Sequence, residues 1–258
     1  MKRSVKSLTG YLMGASDGEI GKVIDFYFDD KTWAIRYLIV ETGDWLSGRK
    51  VLISPQALLS TNWENGSFPI NLTKEQIENS PNIDTDMPVS RQQEIQLYEY
   101  YPWTNYWVSG MGVGGMGTSG MIMPVGDSAA EEIDKKNHLY DQESHGDHHL
   151  RSAETVTGYK IKARDGDIGD IEDFIIDDIS WELIFLVVDT GHWFPGKKVL
   201  LSPKWIKEIK WEISNIVVNL TEHQIKNSPE YYPHQLINEV DEKIFYDYYG
   251  DRLYHEKQ

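Results

Sequence analysis

Shifted against itself by 148 residues, the chain repeats without a gap, residues 9–101 aligning with residues 157–249. Self-similarity of this kind decides the architecture before any local pattern does. Gly10 matches Gly158, Gly21 matches Gly169, Trp33 matches Trp181, Trp45 matches Trp193, and Ser54-Pro55 matches Ser202-Pro203. Two copies are too few for a solenoid, and each is long enough to enclose a core of its own, so two sister domains are expected. The first spans residues 1–101 and the second residues 153–258, each ending in a helical tail. Residues 102–152, first Gly-rich and then acidic and His-rich, lack hydrophobic periodicity and read as a flexible linker.

Within a unit, "IGKVIDFYFDDKTWAIRYLIVET" alternates between apolar and polar positions and is rich in β-branched and aromatic residues. That pattern predicts a hairpin: a strand over 20–28, a turn over 29–32 and a second strand over 33–42. "KVLISP" adds a strand stopped by Pro55, and residues around Trp63 and 68–71 complete a small antiparallel sheet, curled so that its edges are not left open. "LTKEQIENSP" and "LTEHQIKNSP" carry a capping box, Thr at the N-cap with Gln three residues on. "SRQQEIQLYEYY" and "NEVDEKIFYDYYG" place Leu97, Tyr98 and Tyr101, or Ile244, Phe245 and Tyr248, on one helical face.

These residues carry a resemblance. "DGEIGKVIDFYFDDKTWAIRYLIVETG" followed by "KVLISPQALL", and "DGDIGDIEDFIIDDISWELIFLVVDTG" followed by "KVLLSPKWI", resemble the PRC-barrel domain, shared by the cytoplasmic part of the photosynthetic reaction centre H subunit, the ribosome maturation factor RimM and many small bacterial proteins. The resemblance implies a mainly β protein of two small antiparallel PRC-type barrels, each followed by short helices. It further implies a docking module that caps or assembles larger complexes, including membrane or electron-transfer complexes, with no catalytic constellation to carry over. The chain departs from both named relatives: an H subunit has a membrane-spanning helix before its barrel, and RimM has an RNA-associated domain before a single barrel.

Composition narrows the function classes. Twenty-five Lys and Arg stand against 41 Asp and Glu, a net charge of -16, so the basic field that nucleic-acid binding requires is missing. Cysteine is absent, which excludes disulfides and thiol catalysis. "MKRSVKSLTGYLMG" has a basic start with no apolar stretch behind it, and no window approaches the roughly 18 apolar residues of a membrane span. The expected setting is the cytoplasm, with no direct membrane insertion.

Candidate sites are few. The cassette "ETGDWLSGRKVLISP" (residues 41–55) returns as "DTGHWFPGKKVLLSP" (189–203), placing Trp45, Arg49 and Lys50, and Trp193, Lys197 and Lys198, in a basic and aromatic loop. Trp and Arg dominate interface anchors, so these six residues are the interaction candidates. The competing expectation is that both tryptophans fold back over the barrel mouth or pack the barrels together. His138, His145, His148 and His149 form one cluster of metal-ligating types, and a metal- or ligand-responsive protein using this segment or the groove between the barrels is the alternative reading. Asp29-Asp30 and Asp177-Asp178 sit on hairpin turns and are expected to be solvated. "GMGVGG" (110–115) meets a dinucleotide fingerprint literally but lacks the strand before it and the helix after it. No catalytic residue and no cofactor are expected; the partner is a protein, with homo-oligomerisation allowed.

Overall fold

The computed structural model describes residues 1–61, 63, 65–83, 89–101, 103–106, 149–191, 196–233 and 237–255. The first half runs β1 (Lys2–Ser4), α1 (Val5–Leu8), β2 (Leu12–Ala15), β3 (Gly18–Asp29), β4 (Ile35–Glu41), β5 (Lys50–Ile53), β6 (Ser67–Pro69), α2 (Lys74–Glu78) and α3 (Arg91–Tyr100). The second half repeats the series as β7 (Leu150–Ser152), α4 (Ala153–Val156), β8 (Lys160–Lys162), β9 (Asp167–Asp177), β10 (Leu183–Asp189), β11 (Lys198–Leu201), β12 (Ile206–Lys210), β13 (Asn215–Val218), α5 (Glu222–Lys226) and α6 (Glu239–His255). The expected hairpin is therefore β3 and β4, and both capping boxes form, Thr73 with Gln76 and Thr221 with Gln224.

The fold is mainly β, in two sheets with few helices. One sheet has the order β5-β4-β3-β2-β6 and the other β11-β10-β9-β8-β13-β12. Their inward faces hold Ile20, Val23, Phe26 and Leu38 in one half, and Ile168, Ile171, Phe174 and Leu186 in the other, all buried. Each such side chain contributes about 1.5–3 kcal/mol relative to leaving it exposed.

The sheets are not purely antiparallel as expected: β2 pairs with β6, and β8 with β13, in parallel. The reason is arithmetic. In the first half five strands reverse direction at every connection, and in the second β11 and β12 continue in one direction through the bend, so in both halves the first and last strands meet running the same way. The curl is made at a turn of 3-10 helix, Pro55–Ala57 or Pro203–Trp205, in which Ser54 or Ser202 accepts a bond from the backbone two residues on. After it Leu58 bridges to Ile70, and in the second half β12 pairs with β13. The pairings among the described residues do not join into a closed barrel.

One glycine pair is dictated by this curl. A Cβ on Gly21 would lie 1.9 Å from the Glu41 carbonyl oxygen, and one on Gly169 lies 1.9 Å from that of Asp189. The close approach of β3 to the end of β4 leaves no room for a side chain. Gly21→Ala or Gly169→Ala should each lower unfolding stability in urea by roughly 3 kcal/mol, the upper range for overpacking; an unchanged midpoint would contradict the packing described.

Candidate functional site at the seam between the sheets

Each half lends a short strand to the long strand of the other's sheet. β1 pairs antiparallel with β9, Arg3 opposite Ile176, and β7 pairs antiparallel with β3, Arg151 opposite Phe28. The expected boundary left residues 102–152 in the linker; Leu150–Ser152 instead form β7 on the first sheet. The exchange is reciprocal, and its contacts come in matched pairs.

At its centre are two buried carboxylates. Asp25 Oδ1 accepts from the backbone N–H of Glu154 at 3.0 Å and of Phe26 at 2.7 Å, while Oδ2 accepts from Ser152 Oγ at 2.6 Å. Asp173 does the same with Lys6 N at 3.0 Å, Phe174 N at 2.7 Å and Ser4 Oγ. Ser4 and Ser152 are N-caps, accepting in turn from Ser7 N and Thr155 N. Each aspartate thus receives the first turn of a helix that belongs to the opposite half. Both are 8% exposed, and burial pushes both carboxyls above the usual aspartate range, the serine and backbone donors offsetting it only in part.

The hairpin turns expected to be solvated are also part of the seam. Asp30 binds Arg151 Nε at 2.8 Å and Asp178 binds Arg3 Nε at 2.7 Å. The guanidiniums lie over the rings of Trp211 and Trp63, at 4.1 and 3.7 Å. Asp29 is 6% exposed, its Oδ1 accepting from the backbone of Lys31 and Thr32. This tight turn forces Trp33 to φ 61° and Trp181 to φ 57°, a region that bulky residues rarely enter. In that conformation the Trp33 carbonyl accepts from Leu183 N at 2.8 Å and the Trp181 carbonyl from Ile35 N at 2.7 Å. Phe28 meets Phe174, and Phe68 meets Trp181, with ring centroids 5.9 Å apart in both cases.

One cluster has no counterpart among the described residues. Glu94 on α3 is fully buried, its Oε1 accepting from Tyr37 at 3.0 Å and Tyr106 at 2.6 Å. Its Oε2 lies 2.8 Å from Arg91 Nη1 and 3.1 Å from His149 Nε2. Arg36 lies over the Tyr106 ring at 3.7 Å. Burial, and then the Glu94 charge, drive the Tyr37 and Tyr106 hydroxyls well above their ordinary range and Tyr98 up to about 12, so all three stay protonated, Tyr37 and Tyr106 as donors to Glu94. In the second half Phe185 stands at the place of Tyr37, and Glu242, the match of Glu94, lies 3.3 Å from Lys2 Nζ. Tyr106 Oη and His149 Nε2 are 3.0 Å apart, so the side chains on either side of residues 107–148 meet at the Glu94 cluster.

The candidates read from sequence are placed as follows. Trp45 is half-buried against the core; its indole N–H donates to the Ile20 carbonyl and Lys74 lies over its ring at 4.4 Å. Arg49 donates to the carbonyls of Glu78 at 3.0 Å, Ser80 at 2.8 Å and Pro81 at 2.8 Å, and Lys197 to those of Lys226 at 2.6 Å and Ser228 at 2.9 Å. These cations satisfy carbonyls at and just beyond the C-terminal ends of α2 and α5, which helices leave without an internal partner. Lys198 Nζ bonds Glu172 at 2.5 Å, and Lys50 pairs opposite Glu41 in the ladder. Trp193, His138, His145, His148 and the 110–115 glycines lie outside the described residues; His149 is 4% exposed and held by Glu94 and Tyr106. Among the described residues no group of three or more His, Cys, Asp or Glu could hold a metal.

Two clefts flank the seam. One of 270 Å³ is lined by Arg36, Tyr98 and Tyr106 with Trp181 of the second half, and one of 280 Å³ by Trp33 with Lys204 and Tyr246. A groove of 840 Å³ runs along β8 and β9, where Lys160 and Lys162 pair with Asp170 and Asp167. The described chemistry is that of a braced interface: carboxylates hold helix caps and cations, and serine and tyrosine hydroxyls donate to the buried carboxylates.

Sequence reasoning missed residues 1–8 and 149–156. Their signal was present, since Arg3-Ser4 and Arg151-Ser152 stand at the same 148-residue spacing just ahead of the aligned region.

A family model described as the PRC-barrel domain matches residues 12–77. No curated protein matches the chain. No helix among the described residues is long and apolar enough to cross a membrane.

The buried aspartates give a signed pH test. Their folded-state pKa values are raised above the unfolded ones, so their ionisation opposes folding, and stability is gained as pH falls through the raised folded value toward the unfolded range near about 4. Asp25→Asn with Asp173→Asn keeps the Oδ1 acceptors and removes this gain. Urea unfolding of both proteins between neutral pH and pH ~4 should show wild type improving relative to the variant as pH falls; a flat or reversed difference would contradict it.

Proposed function

We propose that the chain is a tandem pair of PRC-type barrels, joined by the Gly- and His-rich segment, that works as a non-enzymatic protein-docking and assembly module in the cytoplasm. The match over residues 12–77 supports the first barrel, and the repeated sequence and repeated strand order support the second.

The contrast between the seam and the outer surface carries the docking reading. Inside the seam five contact positions keep the same residues in both halves: Arg3 and Arg151, Ser4 and Ser152, Asp25 and Asp173, Asp30 and Asp178, Trp33 and Trp181. Outside they diverge. Ile179, Ile213, Val240 and Ile244 are exposed at 83%, 65%, 68% and 49%, where the first half has Lys31, Asn65, Gln92 and Gln96. In turn Leu12 and Leu59 are exposed where the second half has Lys160 and Lys207. Val240 and Ile244 lie one turn apart on α6 and so share a face. An exposed apolar pair of this kind on a rigid, acidic body suits a protein partner with an apolar anchor and a basic rim. The cassette cations Arg49 and Lys197 work instead as internal braces, which moves the docking face from the cassette to α6.

Val240→Gln with Ile244→Gln installs the first half's residues on that face. Stability should change by no more than about 0.5 kcal/mol, as for other surface substitutions. Affinity purification from the cells that make the protein should recover a partner with wild type and lose it with the variant. Equal recovery by both, or no partner with either, would contradict this assignment.

A further inference from the structure

We infer that the seam is an interface in its own right, which holds without the connection between the halves and selects first half with second half over like with like, so that the partner it fits is the complementary half of a second copy of this chain. This goes beyond the docking reading and does not depend on it, because it concerns the inward faces.

The contacts that close the seam are supplied by the two halves themselves: β1 and β7 on the opposite sheets, the cap bonds of Asp25 and Asp173, and the Arg3–Asp178 and Arg151–Asp30 pairs. Each half also carries both sides of the matched contacts: the first has Arg3 and Asp30, Ser4 and Asp25, Trp33 and Ile35, and the second has Arg151 and Asp178, Ser152 and Asp173, Trp181 and Leu183. That is the pattern of an isologous twofold interface written into one chain, and it would allow either half to pair with itself.

The unmatched positions decide against self-pairing. Lys2 Nζ sits between Asp177 and Glu242, at 14% exposure of its side chain. Its counterpart Leu150 is 5% exposed and lies opposite Asp29. Pairing the second half with itself would set Leu150 against Asp177 and Glu242 and leave both carboxylates without Lys2. Pairing the first half with itself would put Met1, the counterpart of His149, beside the fully buried Glu94 and Lys2, the counterpart of Leu150, into the buried leucine site opposite Asp29. One like pairing strips two carboxylates of their cation, and the other exchanges the His149–Glu94 contact for a methionine and takes a lysine into an apolar site, and these mismatches separate the right pair from the wrong ones.

The test uses the full chain with a specific protease site placed among residues 107–148 and cut after folding. Cut protein, light and isotope-labelled, is mixed, unfolded in urea, refolded together and weighed by native mass spectrometry. The expected result is a pair at the mass of the uncut chain, with mixed-label first–second pairs as abundant as same-label ones. Like-with-like pairs should fall at least about ten-fold below their statistical share, equivalent to about 1.4 kcal/mol. Pieces that separate after cutting or refolding, or like pairs at their statistical share, would overturn the inference. In a second cut protein carrying Lys2→Leu and His149→Met, which makes both positions the same in the two halves, like pairs should rise toward the statistical share. An unchanged distribution would remove selectivity from these two residues.

Discussion

Each half of this chain buries an aspartate whose hydrogen bonds only the other half completes. Asp25 takes Ser152 and the Glu154 amide; Asp173 takes Ser4 and the Lys6 amide. A buried carboxylate stripped of such partners costs several kcal/mol, more than a typical net hydrogen bond contributes. Separating the halves breaks these bonds, and the strand exchange, the arginine–aspartate pairs and the tryptophan carbonyls lie along the same seam. The left-handed conformations of Trp33 and Trp181 fit the same logic: strain of about 1–3 kcal/mol is tolerated where surrounding contacts over-determine the backbone.

Much of this was legible in the sequence. The duplication, the β3–β4 hairpin, the strand ended by Pro55 and the two capping boxes follow from periodicity and turn chemistry, which are local. The seam was not, because it depends on which half a short strand joins. Lys2–Ser4 and Leu150–Ser152 are three residues each, too short for a periodic signal, and nothing local distinguishes docking on one's own sheet from docking on a sister's. The same limit explains the hairpin acids. On a turn met in isolation, Asp29-Asp30 is a solvated pair; here Asp29 is buried and Asp30 half-buried, and the opposite half brings Arg151 to Asp30. For the cassette, residue type was read correctly as basic and aromatic, but Arg49 and Lys197 reach helix-end carbonyls within their own half. Sequence spacing does not reveal so specific an internal use.

The duplicated inside and diverged outside have a physical consequence for function. A seam made of matched pairs holds the two sheets in one orientation, and each outer face is then free to differ without loss of the fold. Val240 and Ile244 on α6 are the clearest case, since their counterparts are glutamines. The Glu94 cluster shows divergence reaching inside as well. By tying Tyr106 and His149 to one carboxylate it fixes both ends of the connecting segment, and with Lys2 it makes the two halves distinguishable to each other.

The central claim is that the two sheets form one cooperative body through the seam. Native-state hydrogen exchange measures it directly at the Ile35 and Leu183 amides, which donate across the seam to the carbonyls of Trp181 and Trp33. Both should exchange only through global unfolding, at the same free energy as the slowest core amides of both sheets. Fast exchange at Ile35 and Leu183, with the two sheets showing separate opening free energies, would contradict the account.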